Sequence, residues 1–275
     1  MGWFVGLQKL LPQHGLSRLV GLLGKSESDW VKRPFVHAFA RAYDVNMGEA
    51  ERRDLDDYQS FNDFFTRSLQ IDARPIEADP RAIVSPADGA ISQAGAIDGD
   101  RLLQAKGHEY TLASLAGNLA AGLEDGDFFT IYLAPSDYHR VHMPFTGRLT
   151  DTLAMPGALF SVNQTTEAGV EGLFCRNERL IARFETDFGP MLVIMVGALI
   201  VASIETVWDG PDSPYRTEQY SQHDLVLEKG DEMGRFLTGS TVICCFPKNS
   251  VELQDDLQPG RRTVMGTRLG ETTTA

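Results

Sequence analysis

The sequence predicts an α+β fold, a helical N-terminal region followed by a β-rich core. Apolar residues recur at helical spacing through the first 70 residues. Prolines then punctuate the chain at Arg74-Pro75, Asp79-Pro80 and Ser85-Pro86. Beyond them come short segments that alternate or are rich in β-branched residues.

Two helical stretches lie within residues 3–24. Trp3, Phe4, Leu7, Leu10 and Leu11 precede Pro12, and Leu16, Leu19, Val20, Leu22 and Leu23 follow it. Trp30–Tyr43 places Val31, Phe35, Val36 and Phe39 on one side, and Ser60–Leu69 opens on a capping serine and carries Phe61, Phe64 and Phe65. Strands are expected at Ala90–Ile97, Arg101–Ala105, Phe128–Leu133, Gly147–Met155, Arg179–Thr186, Met191–Val196, Ile200–Thr206 and Thr241–Phe246. A short helix is expected at Thr111–Leu123, a polar loop at Asp209–Ser221, and a mobile end to the tail Pro259–Ala275. The division is therefore 1–70, helical, and 71–275, β-rich.

Of 275 residues, 43% are hydrophobic and 23% charged, which excludes wholesale disorder. The net charge of −13 excludes a general nucleic-acid binder, which needs a basic surface. The charge is uneven. Residues 1–41 hold six cations and two anions, a balance of +4, and the rest hold 19 and 36, a balance of −17. No apolar run reaches the roughly 18 residues of a membrane span. A basic, Trp- and Leu-bearing head suits a membrane interface; a hairpin packed on the protein's own core has the same periodicity. Cys175, Cys244 and Cys245, odd in number and two of them adjacent, read as reduced buried thiols.

His139 and His142 stand three apart in Pro135-Ser-Asp-Tyr-His-Arg-Val-His-Met-Pro, at the exit of a strand. No third ligand follows at metal spacing, so no metal is expected. His14, His37, His108 and His223 lie in the head or in polar loops. Serine chemistry needs a hydroxyl, a base and an acid to orient the base. Either histidine can serve as the base. Asp88, in a Ser-Pro-Ala-Asp-Gly turn, can orient it. No GxSxG elbow is present, and Ser240 in Thr-Gly-Ser-Thr is the remaining hydroxyl, although a Gly-Ser pair alone carries little weight.

Longer motifs carry more. Phe61-Asn-Asp-Phe-Phe-Thr-Arg, Pro86-Ala-Asp-Gly-Ala-Ile-Ser-Gln, Gln104-Ala-Lys-Gly-His, Asp137-Tyr-His-Arg-Val-His-Met-Pro, Leu159-Phe-Ser-Val-Asn, Phe174-Cys-Arg-Asn-Glu-Arg, Val196-Gly-Ala-Leu-Ile-Val-Ala-Ser, Lys229-Gly-Asp-Glu-Met-Gly-Arg-Phe and Gly239-Ser-Thr-Val-Ile occur in this order. With these the chain resembles the bacterial phosphatidylserine decarboxylase pro-enzymes over nearly its whole length. Thr238 stands where those proteins usually have leucine before the Gly-Ser pair.

The resemblance implies a self-cleaving lyase. Ser240 Oγ would attack the Gly239 carbonyl, leaving a β chain, 1–239, and an α chain, 240–275, that begins with a pyruvoyl group. Asp88, His142 and Ser240 would form the self-cleavage triad. Phosphatidylserine would form a Schiff base with the pyruvoyl carbonyl, lose CO2 and leave as phosphatidylethanolamine. His139 would meet the substrate or deliver a proton, and Ser161 would contact substrate. A substrate that stays in the bilayer would turn the head, 1–41, into a peripheral anchor on the cytoplasmic face of the cell membrane; a homodimer is also implied. The competing reading is a lipid-acting serine hydrolase that uses Asp88, His142 and Ser240 on one uncut chain.

Overall fold

The segment that opens at Ser240 and continues as the apolar run Val242–Phe246 forms the centre of the main sheet. In a computed structural model, which describes residues 21–105, 107–162, 164–198, 204–210, 214–237 and 240–273, Ser240–Phe246 is a strand buried at every position. It lies between two antiparallel neighbours, Asp127–Leu133 and Gly189–Val196. Successive strand residues face opposite sides. Val242, Cys244 and Phe246 therefore join one core cluster, and Ile243 and Cys245 join a second on the other face.

The strands in chain order are β1 (Ala82–Val84), β2 (Gly89–Ala96), β3 (Arg101–Leu103), β4 (Glu109–Thr111), β5 (Asp127–Leu133), β6 (Arg140–His142), β7 (Gly147–Met155), β8 (Arg179–Thr186), β9 (Gly189–Val196), β10 (Ile204–Thr206), β11 (Gln219–Leu227), β12 (Glu232–Phe236), β13 (Ser240–Phe246), β14 (Val251–Leu253), β15 (Arg262–Thr263) and β16 (Arg268–Thr272). The main sheet has eight strands in the order β11-β7-β8-β9-β13-β5-β2-β15. Two three-stranded sheets, β1-β16-β14 and β10-β12-β6, flank it. The second carries His142 at the end of β6.

The described part of the N-terminal region is less helical than the periodicity predicts. Helix α1 (Asp29–Ala42) forms, but residues 45–59 make only the 3-10 turns Met47–Glu49 and Leu55–Asp57. Helix α2 is confined to Phe61–Phe65. At its C-terminus the Thr66 amide and hydroxyl both donate to the Asn62 carbonyl, at 2.9 and 2.8 Å. Val36 and Ala40 of α1 pack on Phe61, Phe64 and Phe65 in a third, aromatic cluster. The surface-seeking pattern within residues 3–20 lies outside the described residues. Among the described residues, no helix is long and apolar enough to cross a membrane.

Other expectations are corrected. The helix expected at Thr111–Leu123 is Leu112–Ala116 with a 3-10 turn at Gly117–Ala120, since Gly117 adopts φ +56. The polar loop Asp209–Ser221 ends in β11, an edge strand whose polar residues face solvent and which carries His223. The tail is anchored as far as Thr272, because β16 is the middle strand of its sheet, and its last residues, 274–275, lie outside the described set. Of the strand expected at Ile200–Thr206, Ile204–Thr206 forms, and residues 200–203 lie outside the described set. Cys244 and Cys245 are buried free thiols, and Cys175 is half-buried.

Candidate active site

Asp88 sits in the connection between β1 and β2. It is followed by Gly89, which takes no positive φ; its glycine is needed because a Cβ would lie 2.4 Å from the Tyr132 carbonyl oxygen. The requirement is thus close approach of β2 to β5 rather than a tight bend. The Asp88 carboxylate is 93% buried with Arg74, whose Nη2 and Nε donate to it at 2.6 and 2.9 Å. The Met265 amide donates to the same carboxylate at 2.9 Å. Arg74 also binds Glu49 at 2.8 Å. Asp88 therefore joins residues ahead of the core to the C-terminal segment.

His142 lies close by, and its backbone amide donates to the Pro86 carbonyl at 2.8 Å. The described side-chain bonds of the two residues do not run between them. His142 Nδ1 meets the Gly230 carbonyl at 2.8 Å, and Nε2 meets the Tyr138 hydroxyl at 3.1 Å. A carbonyl only accepts, so the proton resides on Nδ1 and Nε2 offers its lone pair. Burial pushes the His142 pKa below its ordinary value, partly opposed by the Gly230 carbonyl and the charges of Glu232 and Asp88. The Asp88 charge is the smallest of these contributions.

His139 is fully buried against the Phe65 ring, 4.0 Å between centroids. Its Nδ1 donates to the Asp137 carbonyl at 2.8 Å. Its Nε2 has no hydrogen-bond partner among the described residues. Burial first, with the Arg67 charge adding to it against the Asp137 carbonyl bond, lowers its pKa to about 3. The turn before it is held by the Asp137 carboxylate, which accepts from the Ala134 amide at 2.7 Å and from Arg262 at 2.6 Å.

Ser240 opens β13 opposite Leu133. It is fully buried, and its Oγ has no partner among the described residues. Leu133 leads into the His139 turn, and the His139 carbonyl accepts from the amide of Phe236, four residues before Ser240. Ser240 and His139, each with an unpartnered side-chain atom among the described residues, thus belong to segments that meet at one strand junction, where Thr241 Oγ1 is also unpartnered. Gly239 and Thr238 lie outside the described residues. Ser161 is half-buried beside Phe160 and Val162, which belong to the second core cluster, whereas the period of two puts Ser240 on the face of the first.

The sequence reading gave no role to Arg74, Tyr138 or Arg67. Arg74-Pro75 read only as punctuation, although an arginine beside a proline-ordered segment is a candidate for a fixed ion pair. Tyr138 lies inside the Asp137–Pro144 motif and passed as a neighbour of the histidines.

A family model described as phosphatidylserine decarboxylase matches residues 61–271, and a second, described as PSD, matches residues 3–44. A phosphatidylserine decarboxylase proenzyme of Psychrobacter cryohalolentis is 52% identical over 277 residues, covering 100% of this chain and 100% of its own. The protein of that name from Alcanivorax borkumensis is 50% identical over 276 residues, with 97% and 95% covered. One from Acinetobacter baumannii is 48% identical over 271 residues, with 98% and 96% covered.

Proposed function

Because the chain belongs to the phosphatidylserine decarboxylase family, we propose that it cuts itself between Gly239 and Ser240 and then converts phosphatidylserine to phosphatidylethanolamine. The observation that carries the cleavage is the Ser240 hydroxyl, fully buried at the head of the central strand with no partner among the described residues. A buried polar group without a partner is costly, and a reacting nucleophile is one reason to keep it.

In this reading Ser240 Oγ adds to the Gly239 carbonyl, and the peptide C–N bond breaks to give an ester. The Ser240 proton goes to His142 Nε2, the atom left basic by the Nδ1 bond to Gly230. Asp88, held by Arg74 and the Met265 amide, favours the imidazolium by its charge. Elimination then splits the ester from the Ser240 carbon skeleton, and water releases ammonia from the new chain end. The residues present suit the product, because its three carbons are the Cβ, Cα and carbonyl carbon of Ser240, a residue already enclosed. The resulting pyruvoyl group supplies an electrophilic carbonyl and an electron sink for loss of CO2.

His139 stays neutral at physiological pH, so its Nε2 lone pair accepts a hydrogen bond from the arriving ammonium group, and its part in delivering a proton after CO2 leaves is assigned on the resemblance alone. Ser161 is assigned to substrate contact on the resemblance alone. The +4 head and the exposed Leu22, Leu23 and Trp30 support a peripheral membrane contact through the N-terminal region, 1–70. After cleavage the 36-residue α chain would stay bound through β13, which pairs on both sides.

Intact mass spectrometry of active protein tests the proposal. Two polypeptides are expected, the smaller beginning with a pyruvoyl group at position 240. Activity from a single unmodified 30.3 kDa chain would refute it and return the site to the hydrolase reading.

A further inference from the structure

Arg67 is the unexplained charge of this region. It follows α2, is 3% exposed, and makes no ion pair among the described residues. Only Nη2 is engaged, by the Ser136 carbonyl at 3.1 Å and the Asp137 carbonyl at 3.5 Å. Nε and Nη1 are buried without a partner. A guanidinium has five N–H donors, so three are left unanswered in a desolvated position. A buried charge without its counter-ion is strongly unfavourable, and the Phe64 ring, 5.8 Å away, is a weak substitute for an anion.

Its position is informative. The Asp137 carbonyl that receives Arg67 also receives His139 Nδ1, so the guanidinium and the imidazole stand side by side. The support is rigid. The Arg67 amide bonds to Phe64, and Arg140 Nε clasps the neighbouring Thr66 carbonyl at 2.8 Å. A cationic fork with three unanswered donors, one shared carbonyl away from an imidazole whose Nε2 is unpartnered, suits an anion joined to an amine.

We propose that Arg67 binds the phosphodiester of the substrate headgroup while His139 receives its amine. The inference rests on the decarboxylase reading and deepens it. The headgroup offers two anions, and their chemistry separates them. A carboxylate loses its charge as CO2 departs, so an arginine paired to it would stabilise the ground state over the transition state and raise the barrier. A phosphodiester keeps its charge throughout, so the same contact binds substrate, transition state and product alike. Uniform binding of this kind appears in KM rather than kcat.

The test uses processed enzyme with phosphatidylserine in detergent micelles, and glycerophosphoethanolamine as a competitor that has the phosphodiester and the amine but no carboxylate. Arg67→Gln is expected to raise KM by roughly ten- to a hundredfold, the range for a charge-assisted hydrogen bond, and to weaken inhibition by glycerophosphoethanolamine in parallel. Arg67→Lys, which keeps the charge and loses the fork, should fall between. Intact mass reports whether each variant is processed, and if Arg67→Gln is not, Arg67→Lys decides. An unchanged KM would overturn the proposal. A raised KM with unchanged inhibition would also overturn it, by assigning Arg67 to the carboxylate. Failure of the unsubstituted protein to decarboxylate would defeat the underlying reading instead.

Discussion

Asp88 bonds to Arg74 and the Met265 amide rather than to His142, and this has a measurable consequence. The Asp88 and Arg74 side chains are 7% and 13% exposed, so the pair is desolvated. Removing one partner of such a pair costs about 3–5 kcal/mol, because the other charge is left buried. Arg74 keeps Glu49 when Asp88 is lost, and Asp88 keeps the Met265 amide when Arg74 is lost. We therefore expect about 3 kcal/mol for either Asp88→Asn or Arg74→Met, and a coupling energy of roughly 2 kcal/mol in the double-mutant cycle. Urea unfolding measures it in a Ser240→Ala background, which keeps the chain whole so that one transition is observed.

The same pair of variants reports on self-cleavage when Ser240 is present. If Asp88 works as an anchored charge, Arg74→Met lets it swing away and slows cleavage along with Asp88→Asn. If Asp88 works by grasping His142 directly, Arg74→Met frees it to do so. Cleavage of Arg74→Met at or above the parent rate, with Asp88→Asn uncut, would refute the anchored-charge argument. So would a coupling energy below about 0.5 kcal/mol, the level at which independent sites already agree with additivity.

Other expectations are simpler. Ser240→Ala and His142→Ala should each persist as the uncut chain by intact mass, and normal cleavage of either would remove that residue from the self-cleavage assignment. His139 titrates near 6.5 when unfolded and at about 3 when folded. The folded state disfavours its charge, so its contribution to stability is complete above pH 6.5 and is lost as pH falls toward 3, by up to about 1.4 kcal/mol per unit. His139→Gln in the Ser240→Ala background should have a shallower acid slope in urea unfolding between pH 6.5 and 4.5, and an identical slope would contradict the burial argument. Glu167, pushed up to about 7 by burial, pulls the other way, so the comparison is between variant and parent rather than of absolute slopes. Deleting residues 1–24 should release the protein from vesicles containing phosphatidylglycerol; undiminished binding would favour the packed-helix reading of that segment.

What could be read from the sequence follows from where each residue ended up. The core strand β13 was visible because both its faces are buried, leaving the apolar run Val242–Phe246. The edge strand β11 was not, because its residues alternate between solvent and partial cover and its composition matches a loop. The middle strand β16 is also half polar, and Arg268, Glu271 and Asp79 form an ion-pair group that no local pattern announces. The site divides in the same way. Asp88, His139, His142 and Ser240 stood out because their residue types do chemistry and recur in a recognisable order. The groups that set the histidine tautomers are the backbone carbonyls of Asp137 and Gly230, and every residue in the chain has a carbonyl. No choice of side chain marks them, so no motif can report them. The acid expected to orient His142 was sought among side chains, whereas in the fold the turn between β11 and β12 delivers the Gly230 carbonyl to Nδ1 and leaves the Asp88 carboxylate to tie Arg74 to Met265. Arg67 escaped for the complementary reason: its significance lies in partners it lacks, and a missing partner exists only once the chain has closed around it.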